Sequence, residues 1–265
     1  MFLRALAILL CFFSLLATAQ TQIQTQALSQ PKHMLIGVDS WSPFRFVKTQ
    51  AVGSIGEKAV SGIDDELWHA LAKKLNFQIR YIHCPWKRCL EMMRSGQIDA
   101  MSGLAWREKR AEYIQYTEPS YFQCATRFYL RRGEESILNN TQDLNSLNIG
   151  MVRGSAYYPA FDNNDQLHKT EMAQESILLQ LLSAQRIDTY IGTDCQADYE
   201  LAHSQWSNAF IKAPFDPKNH TPLYIGLSKQ SSWSQFSQQV NQAIQLILDR
   251  GFQQDIQKKY YQDIN

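Results

Sequence analysis

The sequence predicts an α/β protein of two lobes, each a mostly parallel sheet flanked by helices, joined by two crossings of the chain. Three observations predict this. Strand-like and helix-like segments alternate twice in the order strand, helix, strand, helix, strand. The stretch EMMRSGQIDAMSG, ending at Gly103, returns as QLLSAQRIDTYIG, ending at Gly192, with Asp99 and Asp188 at the same spacing before the glycine. A long extended run, YFQCATRFYLRR, leads away from the first unit, and a last strand with two helices can return to it.

The amino terminus stands outside this pattern. Arg4 precedes an apolar run from Ala5 to Leu16, and small residues at Ala17 and Ala19 mark a cleavage site before Gln20. Residues 1–19 therefore read as a signal peptide. Twelve apolar residues are too few to span a bilayer, and Cys11 lies inside the run without the small residues a lipoprotein site needs. Loss of Arg4 lowers the 26 basic side chains by one, to match the 25 acidic ones. A mature chain without net charge argues against a nucleic-acid partner. No later apolar run is long enough to cross a membrane, so the mature protein is expected to be soluble and exported.

The folded part opens with HMLIGV, a strand that ends at Asp39 in a Ser/Trp/Pro loop. Ile63, Leu67, Leu71 and Leu75 then recur at helical spacing. FQIRYI alternates as a strand, and CPWKRCLEMMRSG reads as a helix with Pro85 near its start and Gly96 at its end. IDAMSG is the third strand. In the second unit LNIGMV is a strand followed by a turn at Arg153–Gly154–Ser155 and a helix start. HKTEM is a strand, QESILLQLLSAQ a helix with Ile177, Leu178, Leu181 and Leu182 on one face, and IDTYIG a strand. TPLYIGLS and two helices close the chain, with Phe236, Val240, Ile244 and Ile247 along one face. This order assigns residues 32–125 and 214–265 to lobe one and 126–213 to lobe two.

Four cysteines remain after the leader. An oxidising compartment favours bridges, and Cys84 with Cys89, flanking PWKR, suits a local staple. Four cysteines allow three pairings, so the partners of Cys124 and Cys195 stay open. No His–Cys set of ligand spacing points to a metal, and no Gly-rich phosphate loop or Ser/Cys–His motif is present. No cofactor and no catalytic residue is expected.

In open parallel sheets ligands bind beyond the carboxyl ends of strands. Three such ends carry suitable side chains. DSWSPF offers Asp39, with Trp41 and Phe44 as an aromatic wall. GLAWREKR offers Trp106 and Arg110, and arginine is suited to a bidentate grip on a carboxylate. VRGSAYY places Gly154 and Ser155 before a helix start, where free N–H groups favour an anion.

The segment DAMSGLAWREKRAEYIQYTEPSYF, with LNIGMVRGSAYY and IDTYIG after it, resembles the family 3 periplasmic solute-binding proteins, the polar amino acid binders of ABC transporters. The resemblance covers about residues 33–262. It implies a type II periplasmic binding protein fold and a periplasmic monomer that hands its ligand to an inner-membrane ABC permease. It also implies that Arg110 clamps a ligand carboxylate with help from Ser155, and that Trp41 or Phe44 stacks on the ligand. The family's amino-group Asp falls at Thr193, with Asp194 one residue late, and the hydroxyl five residues before the arginine is Ala105. These departures widen the expected ligand to a small carboxylate, an amino acid or a derivative. Two other functions fit the resemblance: an enzyme of the cyclohexadienyl dehydratase type, with Asp194 or Asp198 as its acid, and the ligand-sensing partner of a membrane receptor.

Overall fold

The computed structural model describes residues 30–48 and 51–262; the expected leader lies outside them. The first half runs β1 (His33–Val38), β2 (Phe46–Val47), β3 (Gly53–Ile55), β4 (Val60–Ser61), α1 (Ile63–Leu75), β5 (Gln78–His83), α2 (Trp86–Ser95), β6 (Ala100–Leu104), α3 (Glu108–Ala111) and β7 (Ile114–Tyr116). Strand β8 (Phe122–Arg131) leaves it. The second half holds β9 (Ile149–Val152), α4 (Pro159–Asp162), β10 (Lys169–Met172), α5 (Glu175–Ser183), β11 (Thr189–Thr193), α6 (Asp194–Ala202) and β12 (Phe210–Lys212). Strand β13 (His220–Ser228) returns, and α7 (Ser237–Leu248) and α8 (Phe252–Tyr260) close the described chain.

The two halves repeat one topology. In the first, β1 lies parallel between β5 and β6; in the second, β9 lies parallel between β10 and β11. The chain thus reverses its direction of travel across the sheet at β1 and again at β9, and each reversal opens a crevice at the strands' carboxyl ends. The long strands β8 and β13 join the halves, pairing antiparallel from Phe122↔Leu223 to Ala125↔His220. Ala213 and Phe215 still pack in the second half, so the chain leaves that half after Phe215. The β8–β13 ribbon makes one continuous sheet of the two lobes.

The recurring Ile-Asp corner has a specific use. The Asp99 carboxylate accepts the N–H of Leu35 at 2.7 Å, and the Asp188 carboxylate accepts that of Asn148 at 2.7 Å. In the other direction, the N–H groups of Asp99 and Asp188 donate to the carbonyls of Leu35 and Asn148. Each aspartate therefore fixes the register of a βαβ unit by binding the neighbouring strand twice.

Helices cover both faces of each half. In α1, Ile63, Leu67, Trp68 and Leu71 are buried, Asp64–Glu66 stand at the amino end and Lys73–Lys74 at the carboxyl end, as the helix dipole favours. Val240, Ala243 and Ile244 of α7 join Leu67, Leu71 and Trp233 in the same core. Helix α2 ends at Gly96, where φ is +71° and a Cβ would stand 2.8 Å from Gln230. Two expectations change. The chain stays extended after Ser155, and α4 begins only at Pro159 and spans four residues, because Tyr157 turns its ring into the core first. The buried face of α5 is Glu175, Leu178, Leu179 and Leu182, so Leu179 joins the expected Leu178 and Leu182, while Ile177 and Leu181 are only half-buried.

Cys84 is bridged to Cys89, and Cys124 to Cys195. The second bridge ties β8 to α6. Asp194 brings a carboxylate beside those two sulfurs, but sulfurs bonded to each other offer no thiolate for a metal. Among the described residues no helix is long and apolar enough to cross a membrane.

Candidate functional site

The crevices of the two halves face one space. It is walled by the residues after β1 (Asp39, Trp41), after β6 (Ala105, Arg110), after β9 (Ser155, Tyr157) and at the end of β11 (Gly192, Thr193). Both glycines of the repeated corner, Gly103 and Gly192, line it. Gly103 has φ +75°, and a Cβ there would meet Trp41 at 2.8 Å and Arg45 at 2.9 Å. The cavity measures about 130 Å³, room for roughly ten water-sized atoms at roughly 10–15 Å³ each. That is the size of one small metabolite.

Arg110 is buried, with only 8% of its surface exposed. Its guanidinium donates to the carbonyls of Ala105 at 3.1 Å and Gly154 at 2.6 Å. Among the described residues no carboxylate is paired with it. Burial lowers its pKa below the ordinary value, but an arginine stays charged in a protein. The cavity therefore holds a cation that lacks an anion.

The other arginine is already neutralised. Arg45 pairs with Asp39 at 2.9 Å and with the fully buried Asp64. Asp64 also accepts the hydroxyls of Tyr121 at 2.6 Å and Ser102 at 2.8 Å. The Arg45 guanidinium sits 5.1 Å from the Trp41 ring and 5.9 Å from that of Trp86, within cation–π range. Burial raises the Asp39 pKa against the pull of Arg45.

Five of the eight expected ligand residues line the cavity: Asp39, Trp41, Arg110, Ser155 and Thr193. Three do not. Phe44 has none of its surface exposed and lies behind Trp41, stacked on it with ring centres 4.3 Å apart; it supports the wall. Trp106 is 53% exposed and absent from the cavity lining, because its neighbour Ala105 points inward. Asp194 begins α6 and accepts the N–H groups of Ala125 and Cys195, both at 2.8 Å; it secures the joining ribbon. The expected helix-end anion site at Gly154–Ser155 is also absent: Ser155 N–H donates to Val152. Asp198 is bound to Tyr129 at 3.0 Å and Lys212 at 2.6 Å, outside the lining.

Among the lining residues that the sequence reading did not nominate are Arg45, Trp86, Glu175, Gln196 and Glu200. Trp86 had a readable signal, since it lies inside the Cys84–Cys89 staple at the start of a helix. Glu175 and Glu200 had none, being ordinary acids in helical segments.

The halves also touch across the space. Trp41 donates to Gln196 at 2.8 Å, Trp86 to the Gly154 carbonyl at 3.3 Å, and Arg107 pairs with Asp162 at 2.6 Å. With the Arg110–Gly154 bond, every wall of the first half is linked to the second.

Comparison with known proteins agrees with this architecture. Residues 34–263 match the bacterial extracellular solute-binding proteins, family 3. The chain belongs to that family. This solute-binding protein is 30% identical over 97 residues to a Neisseria gonorrhoeae protein named "Probable histidine-binding protein", a match covering 36% of this chain and 35% of that one. It is 21% identical over 209 residues to a "Probable amino-acid-binding protein" of Bacillus subtilis (strain 168), covering 77% of each. It also shares its fold with an amino acid ABC transporter substrate-binding protein of Streptococcus pneumoniae solved with L-arginine. That comparison has TM-score 0.73 and 16% identity, and covers 88% of this chain and 96% of the other.

Proposed function

We propose that this protein captures a small carboxylate, an amino acid or a derivative, between its two lobes and delivers it to an inner-membrane ABC permease. It acts as a periplasmic monomer, with residues 32–125 in one lobe, 126–215 in the other, and the chain from 216 onward returning to the first. The two disulfides fit an oxidising compartment, and the relatives are named for amino acids. The observation that carries the reading is Arg110, a buried guanidinium in the wall of an amino-acid-sized cavity, with no carboxylate paired to it among the described residues. A buried charge without a counter-charge is costly, and a ligand carboxylate would supply that counter-charge. Ser155, Thr193 and Trp41 would complete its surroundings.

Calorimetric titration of an amino acid and carboxylate panel tests this. Removal of one partner of a desolvated charge pair costs about 2–5 kcal/mol. Arg110→Ala is therefore expected to bind the selected carboxylate at least tenfold more weakly. Equal affinity in the variant would remove the assignment.

A second reading, acid catalysis on a bound carboxylate, is favoured by one observation: Glu175 lies in the cavity with its carboxyl pushed well above the usual range, first by burial and then by the charge of Glu200. Chromatography of carboxylates recovered after incubation separates the two readings. Unchanged recovery supports capture, and a dehydrated product supports catalysis.

A further inference from the structure

Helix α6 carries three sets of residues at helical spacing, and each set meets a different part of the molecule. Thr193, the residue before its first turn, lines the cavity with Gln196 and Glu200. Ala197 and Leu201 pack in the core of the second half. Cys195 and Tyr199 pack against the core of the first half, where the Tyr199 ring lies 6.0 Å from that of Phe46 and 6.4 Å from that of Tyr261. The Tyr261 hydroxyl donates to the Cys195 carbonyl at 3.0 Å. One short helix therefore forms part of the cavity wall and also touches both halves.

The Cys124–Cys195 bridge fastens the start of this helix to the joining ribbon. Cys124 stands in β8 opposite Thr221 of β13, and Thr221 also lines the cavity. Beside the bridge, the Ala125 N–H donates to the Asp194 carboxylate at 2.8 Å. The two bridges of the protein differ in access. Cys84 and Cys89 have none of their surface exposed and sit in a core with Trp86, Met93 and Ile98. Cys124 is also buried, but its partner Cys195 is only half-buried. A disulfide opens when a thiolate reaches one of its sulfurs, so access governs the rate.

We propose that Cys124–Cys195 is a redox-sensitive tie: a dithiol opens it ahead of the buried Cys84–Cys89 staple, and its opening loosens the α6 wall of the cavity. One thiolate of the dithiol attacks Cys195 Sγ, the bond between the two cysteine sulfurs breaks, and Cys124 leaves as a thiolate that takes up a proton. The second thiolate of the dithiol then attacks the mixed disulfide. Cys195 leaves and is protonated in turn, and the dithiol ends as a disulfide. The bridge thus gains the electrons and protons that the dithiol loses. After opening, α6 keeps its hydrogen bonds to Ala125 and Tyr261 and its place in the second core, so the change is a local loosening and not unfolding. The tie holds the wall whichever ligand fills the cavity, and even if the cavity serves catalysis.

Dithiothreitol treatment of the native protein, followed by iodoacetamide and peptide mapping, tests the order of opening. Cys124 and Cys195 should be labelled about tenfold faster than Cys84 and Cys89, or more. Hydrogen–deuterium exchange in the same reductant, at a time when the staple is still closed, tests the hold on the wall. Backbone amides of residues 194–202 should exchange about tenfold faster than in the oxidised protein, while those of α1 stay unchanged. A protein carrying Cys124→Ser and Cys195→Ser should show the same local change without reductant, and one carrying Cys84→Ser and Cys89→Ser should leave α6 as it is. Equal labelling of the two bridges, or earlier labelling of the staple, overturns the selective opening. Exchange in α6 that does not change when the wild-type bridge is reduced overturns its hold on the wall, and that reading stands even if the serine variants fail to fold.

Discussion

Arg110 and Glu175 are each unfavourable alone. One is a buried cation without an anion, the other a buried carboxyl with an unpartnered oxygen. Native structures keep such groups where a partner arrives later, and here both face one space. Phe44 and Trp106 show the opposite division of labour between two aromatic residues near the same cleft. Phe44→Ala removes a fully buried ring from behind Trp41 and should cost about 3–5 kcal/mol in denaturant unfolding. Trp106→Ala removes an exposed ring and should stay within about 0.5 kcal/mol of the wild type, with ligand affinity unchanged. A stable Phe44→Ala or a non-binding Trp106→Ala would reverse their assigned places.

At the scale of elements, the Ile-Asp corners are the clearest case of a sequence pattern with a physical cause. Asp188 binds Asn148 through both its carboxylate and its backbone, as Asp99 binds Leu35. A hydrogen bond to a charged group contributes about 1.5–3 kcal/mol, and Asn148 is exposed, so Asp188→Ala should lose about 1–2 kcal/mol in urea unfolding. No loss would mean that the corner repeats for another reason. The same pattern made the strand order readable, and with it the strand ends after β1, β6, β9 and β11 where the cavity lies. Arg110 and Trp41 were legible because they follow those ends directly. Other features were not, for definite reasons. The direction of a side chain at a loop separates Trp106 from Ala105 and Phe44 from Trp41, and no periodicity reports it. Glu175 and Glu200 sit in different helices, and only the fold brings both to the cavity wall. The helix expected at Ser155 fails because Tyr157 turns inward first.

The whole molecule is two copies of one parallel unit joined by the antiparallel ribbon β8–β13. Two strands side by side permit rotation of the lobes while resisting sliding, and hinge closure around a ligand is the device of periplasmic binding proteins. Trp41–Gln196, Arg110–Gly154 and Arg107–Asp162 link the two halves across the cavity, as a closed arrangement would. A ligand shifts that equilibrium only by binding closed better than open, and one held by Arg110 from one lobe and Ser155 from the other does so. Small-angle scattering, on the wild type and Arg110→Ala with and without the carboxylate selected by calorimetry, measures this directly. The radius of gyration of the ligand-free wild type should exceed that of the closed structure and fall to it on ligand addition, while Arg110→Ala should stay open at the same concentration. A carboxylate that binds the wild type by calorimetry and leaves its scattering unchanged would contradict capture by closure.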